Sequence, residues 1–182
     1  GIGPSEALEL FIEGTHSPYR VLAAASEIRE HFKGKAIILC GIANAKSGKC
    51  SEDCAFCAQS SRHAAEVPIY PLKSAREIVA AALSARRDGA EFFSIVTSGR
   101  RIASQKEWKE IFKAVDGMNR IGIRPCASLG MIDTIRAREL KNAGLFRYHH
   151  NLETARSFFK NICTTHDYEE NLATVRAAKE AG

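Results

Sequence analysis

Three cysteines stand within one short stretch, Cys50-Ser-Glu-Asp-Cys54-Ala-Phe-Cys57, spaced by three residues and then two. Thiolates this close can face one metal centre from a single loop. Iron–sulfur cubes usually take four cysteine thiolates, and structural zinc sites are closed by four ligands. A triplet with no fourth Cys or His at a matching interval leaves one metal of a cube free of protein. A free metal position is where a substrate or cofactor binds directly. His63, six residues past Cys57, fits no common zinc spacing. The polar neighbours Ser51, Glu52, Asp53, Gln59, Ser60, Ser61 and Arg62 count against a dry core of buried thiols. On spacing, an open cluster is favoured over a zinc knot completed by Cys40 or a distant His.

The elements that must position this loop can be read from periodicity. Ser17 to Phe32 is expected to be a helix, with Ser17 as N-cap, Pro18 at its first position and Gly34 as its stop. Leu22, Ala25, Ile28 and Phe32 recur at helical spacing. The run Ala36-Ile-Ile-Leu-Cys40 is short, apolar and bounded by glycines, so it reads as a buried strand feeding the cysteine loop. Ser74-Ala-Arg-Glu77 and Ser104-Gln-Lys-Glu107 are capping boxes opening two helices, the second with Trp108, Ile111, Phe112 and Val115 on one face. Strand-like runs follow each helix: Phe92–Thr97, Arg124–Ser128 and Leu145–His149, with Pro125 acceptable only near a strand start. Asp133–Ala143 and a segment opened by Asp167 complete the helices.

Strict strand–helix alternation implies a parallel sheet, because parallel neighbours need crossovers. Periodicity leaves a doubly wound sheet and a (β/α)₈ barrel equally open. The dinucleotide-binding glycine fingerprint is absent after the first strand, where cysteines stand instead.

The 182 residues, 45% hydrophobic with net charge +5, suit one core. No run approaches the ~20 apolar residues of a membrane span, and no export leader is legible. Six cysteines, three in one loop, fit a reducing compartment, so a soluble cytoplasmic protein is expected. Lys and Arg interleave with Glu and Asp as on solvated helix faces, and no basic stripe with aromatics points to nucleic acid.

The cysteine loop, with Phe56 just before its last Cys, resembles that of the radical S-adenosylmethionine enzymes. Within them, Asn44 to Ser60 is similar to the cluster loop of the biotin synthase family, Tyr148-His-His-Asn151-Leu-Glu153-Thr to its Asn-His-Asn-Leu-Asp-Thr motif, and Asn161-Ile-Cys-Thr-Thr165 to its Asn-Ile-x-Thr-Thr segment. The likeness runs from about Ser17 to Gly182.

The resemblance implies an α/β fold, a parallel TIM-type (β/α)₈ barrel. About the first four βα units are expected in residues 35–182, with a helical extension over 1–34. That would be the N-terminal half to two-thirds of the enzyme, since such barrels run to ~250 residues. It implies sulfur insertion converting dethiobiotin to biotin, with turnover by this chain alone left open. The chemistry belongs to a 5′-deoxyadenosyl radical, and no side chain acts as acid or base. Cys50, Cys54 and Cys57 would ligate a 4Fe-4S cluster whose free iron holds S-adenosylmethionine. Phe56 would pack on the adenine, and Asn151 and Glu153 would meet ribose and substrate. Glu153, where the family often has Asp, can accept both ribose hydroxyl bonds; its other reading is an acid at a helix start.

The family's auxiliary iron–sulfur cluster, 2Fe-2S or a variant, would take Cys126. Ser94 stands where the usual Cys would be, and Cys40 is either a substitute ligand or a buried strand cysteine. Cys163 reads as structural. His149 and His150 point to opposite faces. A flavodoxin- or ferredoxin-type electron donor and a homodimer are further implications. Two other readings stand beside this one: a radical S-adenosylmethionine enzyme without sulfur insertion, and a zinc-binding module without catalysis.

Overall fold

The computed structural model describes residues Gly1–Gly182. Contacts divide the chain into two units, Gly1–Ile38 and Leu39–Gly182. The first unit is a helical pair, α1 (Pro4–His16) and α2 (Pro18–Lys33). Proline opens each helix, where a missing N–H loses no bond. α1 was not legible in the sequence. Ser17 stands at the N-cap of α2 as expected but makes no side-chain cap bond. Gly34 ends α2 at φ 71°, a left-handed position suited to glycine. The predicted stripe of α2 exists but is exposed at Leu22, Ile28 and Phe32.

The second unit alternates strand and helix: β1 (Leu39–Lys46), α3 (Ala75–Arg87), β2 (Ala90–Thr97), α4 (Gln105–Arg120), β3 (Arg124–Ser128), α5 (Thr134–Asn142), β4 (Arg147–Tyr148) and α6 (Tyr168–Glu180), with a 3₁₀ turn at Arg156–Asn161. All pairings are parallel and the spatial order is β1-β2-β3-β4. A doubly wound sheet reverses its order at a switch point. Neighbours taken strictly in sequence are instead the wall of a barrel.

One sheet face supplies Ala43, Ala45, Phe93, Ile95 and Ala127 to the core, where they meet Ile78 and Ala82 of α3, Ile111, Val115 and Met118 of α4, and Leu140 of α5. Strand side chains alternate, so the other face carries Cys40, Ile42, Ser94, Cys126 and Arg147.

Three expectations shift. The first strand is Leu39–Lys46, not 36–40. Gly41, read as its boundary, is interior, because a Cβ there would lie 2.7 Å from Phe93 and 2.8 Å from Ala85. Ile37 and Ile38 lie outside the sheet and are exposed. β4 has only two assigned residues, although Phe146 N–H to Pro125 O (2.8 Å) and His149 N–H to Ala127 O (2.8 Å) extend its pairing. The box at Ser104 is half made: Ser104 Oγ accepts from Glu107 N–H, but the Glu107 carboxylate turns to Lys46 Nζ at 2.7 Å. The boxes at Ser74/Glu77 and Asp167/Glu170 are complete.

Candidate metal centre and cofactor site

The cysteine loop begins where β1 stops. Ser47 and Tyr70 exchange backbone bonds (3.1 and 3.2 Å) and close its base. Inside it, Cys50 N–H donates to Gln59 O (3.0 Å) and Ser61 N–H to Cys50 O (2.8 Å), a short parallel bridge. Cys57 N–H reaches Cys54 O at 2.9 Å, turning the chain between the last two thiols. Gln59 Oε1 accepts from Gly48 N–H (2.6 Å) and Ser47 Oγ (3.0 Å), and Ser60 Oγ donates to Glu52 O (2.5 Å). The Gln59-Ser60 tail of the motif is therefore the strut of the loop. His63 donates Nε2–H to Cys54 O (2.9 Å), which gives that nitrogen a backbone partner.

Cys50, Cys54 and Cys57 are free and partly exposed, and Phe56 beside them is 61% exposed. The Cys54 thiol is pushed up to about 12, first by burial, then by Cys163 and by the nearby Cys57 and Cys50. Converging thiols repel as anions, and a cation or cluster is what relieves such repulsion. Three free thiols on a braced loop thus fit a cluster with one uncommitted iron.

The loop is fastened by residues that sequence reasoning passed over. Asp53 Oδ1 accepts from Thr164 N–H (2.9 Å), Thr165 N–H (3.2 Å) and Cys163 Sγ (3.1 Å), and its other oxygen binds the Thr164 hydroxyl. These bonds, led by the Thr164 hydroxyl, hold the Asp53 carboxyl far below the usual carboxylate range. Glu52, 6% exposed, accepts from Ser51 Oγ (2.9 Å), Thr165 Oγ1 (2.8 Å) and His166 Nδ1 (2.6 Å). Burial works to raise its carboxyl, and the bonds from Thr165, His166 and Ser51 outweigh it, leaving it lowered. Ala55 N–H to Ile162 O (2.9 Å) adds a backbone tie. The signal was present as two acids set between the cysteines, with Thr-Thr-His to receive them.

Cys163, read as structural, lies at the centre of this clasp. It is buried, and its Sγ sits 3.8 Å from Cys54 Sγ and 3.2 Å from His166 Nδ1.

All these loops leave the C-terminal ends of strands, the catalytic rim of such barrels. Ser98, after β2, donates to Gly48 O (2.8 Å), and Arg100 reaches Thr165 O and the Glu170 carboxylate. Asn151 and Glu153 are exposed on the loop after β4. Glu153 has φ 64°, a left-handed conformation rare outside glycine. It precedes the N-cap Ala155 of the 3₁₀ turn by two residues, so it is not an acid in a helical first turn. His150 donates to Asn171 Oδ1 of α6 (3.1 Å), while burial and then Arg147 lower His149, consistent with opposite faces.

On the inner sheet face, Ser94, Cys126 and Arg147 are register partners across β2, β3 and β4. Cys126 is buried, and burial raises its thiol against the effects of Arg147 and a Ser94 hydrogen bond. Cys40 pairs one step away, opposite Phe92; it is exposed, not buried.

The Radical SAM superfamily profile matches residues 45–182. Biotin synthase of Geobacter sulfurreducens is 52% identical over 174 residues, covering 95% of this chain and 53% of that protein. Biotin synthase of Pelobacter propionicus is 47% identical, covering 100% and 56%. The chain thus spans about half the length of these curated relatives. Among solved structures, methylornithine synthase superposes with TM-score 0.76 at 19% identity, covering 90% of this chain and 48% of that one. The FeFe-hydrogenase maturase HydG of Carboxydothermus hydrogenoformans gives 0.73 at 20%, covering 90% and 38%. These two likenesses bear on the fold alone. The chain belongs to the radical SAM superfamily, and that membership implies a 4Fe-4S cluster and S-adenosylmethionine.

Proposed function

We propose that this radical SAM chain carries the cluster-binding part of a biotin synthase, acting on dethiobiotin by sulfur insertion. The observation that carries the reading is the braced loop with three free thiols, in a sequence 52% identical to a biotin synthase. When bound, the cluster supplies an electron to the sulfonium of S-adenosylmethionine, giving an organic radical able to take hydrogen from an unactivated carbon.

The chain's own residues do the rest. Cys50, Cys54 and Cys57 would hold the cluster, with no fourth thiolate on the loop to close it. The Glu52 and Asp53 clasp fixes the loop, so the thiols need little rearrangement when loaded. Phe56, exposed beside them, offers a face for the adenine. Glu153 and Asn151 bind ribose hydroxyls and substrate from the β4 loop; a carboxylate accepts two such bonds. Cys126 and Cys40 hold the auxiliary cluster on the inner face, and Ser94, a neutral hydroxyl, supports Cys126 without ligating. A flavodoxin- or ferredoxin-type donor, a homodimer and a cytoplasmic setting complete the reading; no helix is long and apolar enough to cross a membrane.

The test is anaerobic reconstitution with iron and sulfide. About four irons should bind at the triplet, and Cys54→Ala should abolish them together with reductive cleavage of S-adenosylmethionine. Retention of both in the Cys50/Cys54/Cys57 triple alanine variant would overturn the assignment.

A further inference from the structure

Cys54, Cys163 and His166 offer donor atoms that all lie within 4.8 Å of one another. The geometry points to a second use of this corner: when the chain lacks its cluster, these three residues bind one thiolate-preferring divalent cation, zinc in particular, with a water as the fourth ligand. The two sulfurs are 3.8 Å apart. Two thiolates at Zn–S bonds of about 2.3 Å on a tetrahedral ion stand ~3.8 Å apart, whereas a disulfide needs about 2.05 Å. The spacing is that of an S–H···S contact in the metal-free chain, and it already matches the sulfur–sulfur edge of a tetrahedral ion.

His166 Nδ1 lies 3.2 Å from Cys163 Sγ, and opening to ~3.5 Å completes a sulfur–nitrogen edge of the same tetrahedron. Glu52 Oε2, 2.6 Å from that nitrogen, is its present hydrogen-bond partner, and a water closes the tetrahedron as the fourth ligand. The cation takes the place of the proton now between Nδ1 and Glu52. The soft sulfur and imidazole set selects zinc over magnesium or calcium.

The balance is simple. Zinc bonds form to both sulfurs, to Nδ1 and to one water; the two S–H bonds break and two protons leave to solvent. The imidazole proton moves to Nε2, and nothing is oxidised or reduced. The three ligands are buried or half-buried and held together by the clasp, so little ordering is needed.

Cys54 cannot serve this ion and the cluster together, so zinc excludes cluster assembly until it leaves. That competition rests on the cluster reading of Cys54; the cation site does not.

The experiment uses the cluster-free chain and cobalt(II) as the spectroscopic stand-in for zinc. One ion should bind with tetrahedral thiolate absorption, be displaced by zinc, and release two protons. Cys163→Ala and His166→Ala should each weaken binding by at least ~100-fold, beyond what loss of a mere supporting partner does. The Cys50→Ala/Cys57→Ala double variant, altered only on the partly exposed loop, should keep one ion at unchanged affinity. Loss of the ion in that double variant, or unchanged binding in a folded Cys163→Ala or His166→Ala chain, would overturn the proposal. If the buried variants fail to fold, the double variant decides alone. The cluster reading is judged separately by iron and sulfide in Cys163→Ala, which should reconstitute fully; failure there counts against the cluster scheme and leaves the cobalt result standing.

Discussion

Removing the Glu52 carboxylate should destabilise the chain by ~3–4 kcal/mol, and the figure can be built from its three donors. Hydrogen bonds to a charged group contribute about 1.5–3 kcal/mol each. Ser51 is exposed and rehydrates when released, so its bond counts little. Thr165 Oγ1 keeps a second acceptor, Asp53 Oδ1 at 3.1 Å, and loses only part of its bonding. His166, 9% exposed, loses a 2.6 Å partner and retains only a thiol. Breaking a buried pair from one side costs about 3–5 kcal/mol, and the surviving Thr165 contact places Glu52→Ala at the lower end. Glu52→Gln keeps an oxygen towards His166 and Thr165 while the Ser51 hydroxyl turns to accept, so ~1 kcal/mol is expected. Urea unfolding followed by Trp108 fluorescence reports this directly, since it is the sole tryptophan and lies in the core. With a slope of about 2 kcal/mol per M, the midpoint should fall ~1.5–2 M for Ala and ~0.5 M for Gln. A loss under ~1 kcal/mol in Glu52→Ala, or equal losses in the two variants, would refute the argument that this carboxylate fastens the loop.

Glu153→Gly should raise stability by about 1 kcal/mol, because glycine adopts the observed left-handed backbone without strain. The same change should weaken S-adenosylmethionine binding by roughly 10–100-fold, one charge-assisted hydrogen bond; unchanged affinity by calorimetry would remove Glu153 from the cofactor site. In a Cys50/Cys54/Cys57 alanine background, residual iron should fall with Cys126→Ala and with Cys40→Ala but not with Ser94→Ala. Iron analysis showing full retention in the Cys40 variant would sink its role as a replacement ligand.

The parts of the molecule legible in the sequence are those set by neighbours in the chain. The box at Ser74/Glu77, the helix opened by Asp167 and the apolar face of α4 depend on residues three or four apart, and they form as read. The readings that failed were decided by distant contacts. Glu107 leaves its box for Lys46, and Gly41 sits mid-strand because Phe93 and Ala85 close over it. The candidate site divides the same way. Three thiols in one loop are visible as spacing, whereas Asp53 with Thr164 and Glu52 with His166 join segments more than a hundred residues apart. Cys163, read as structural, gains a specific place for that reason: only the folded chain sets it against Cys54.

That division explains a feature that is odd on electrostatic grounds alone. Acids between clustered thiols should repel the thiolates they separate, and Cys54 already meets Cys50, Cys57 and Cys163. Glu52 and Asp53 escape the conflict because their oxygens are engaged by N–H, O–H and imidazole donors from 163–166. A carboxylate saturated by such donors directs little field elsewhere. The negative charge is thus used to fold the loop, while none of the side-chain bonds that brace it involves the thiols of Cys50 and Cys57. A loop fastened through its ligands would have to loosen on metal loading; one fastened through the residues between them keeps its shape and leaves its thiols free to bind.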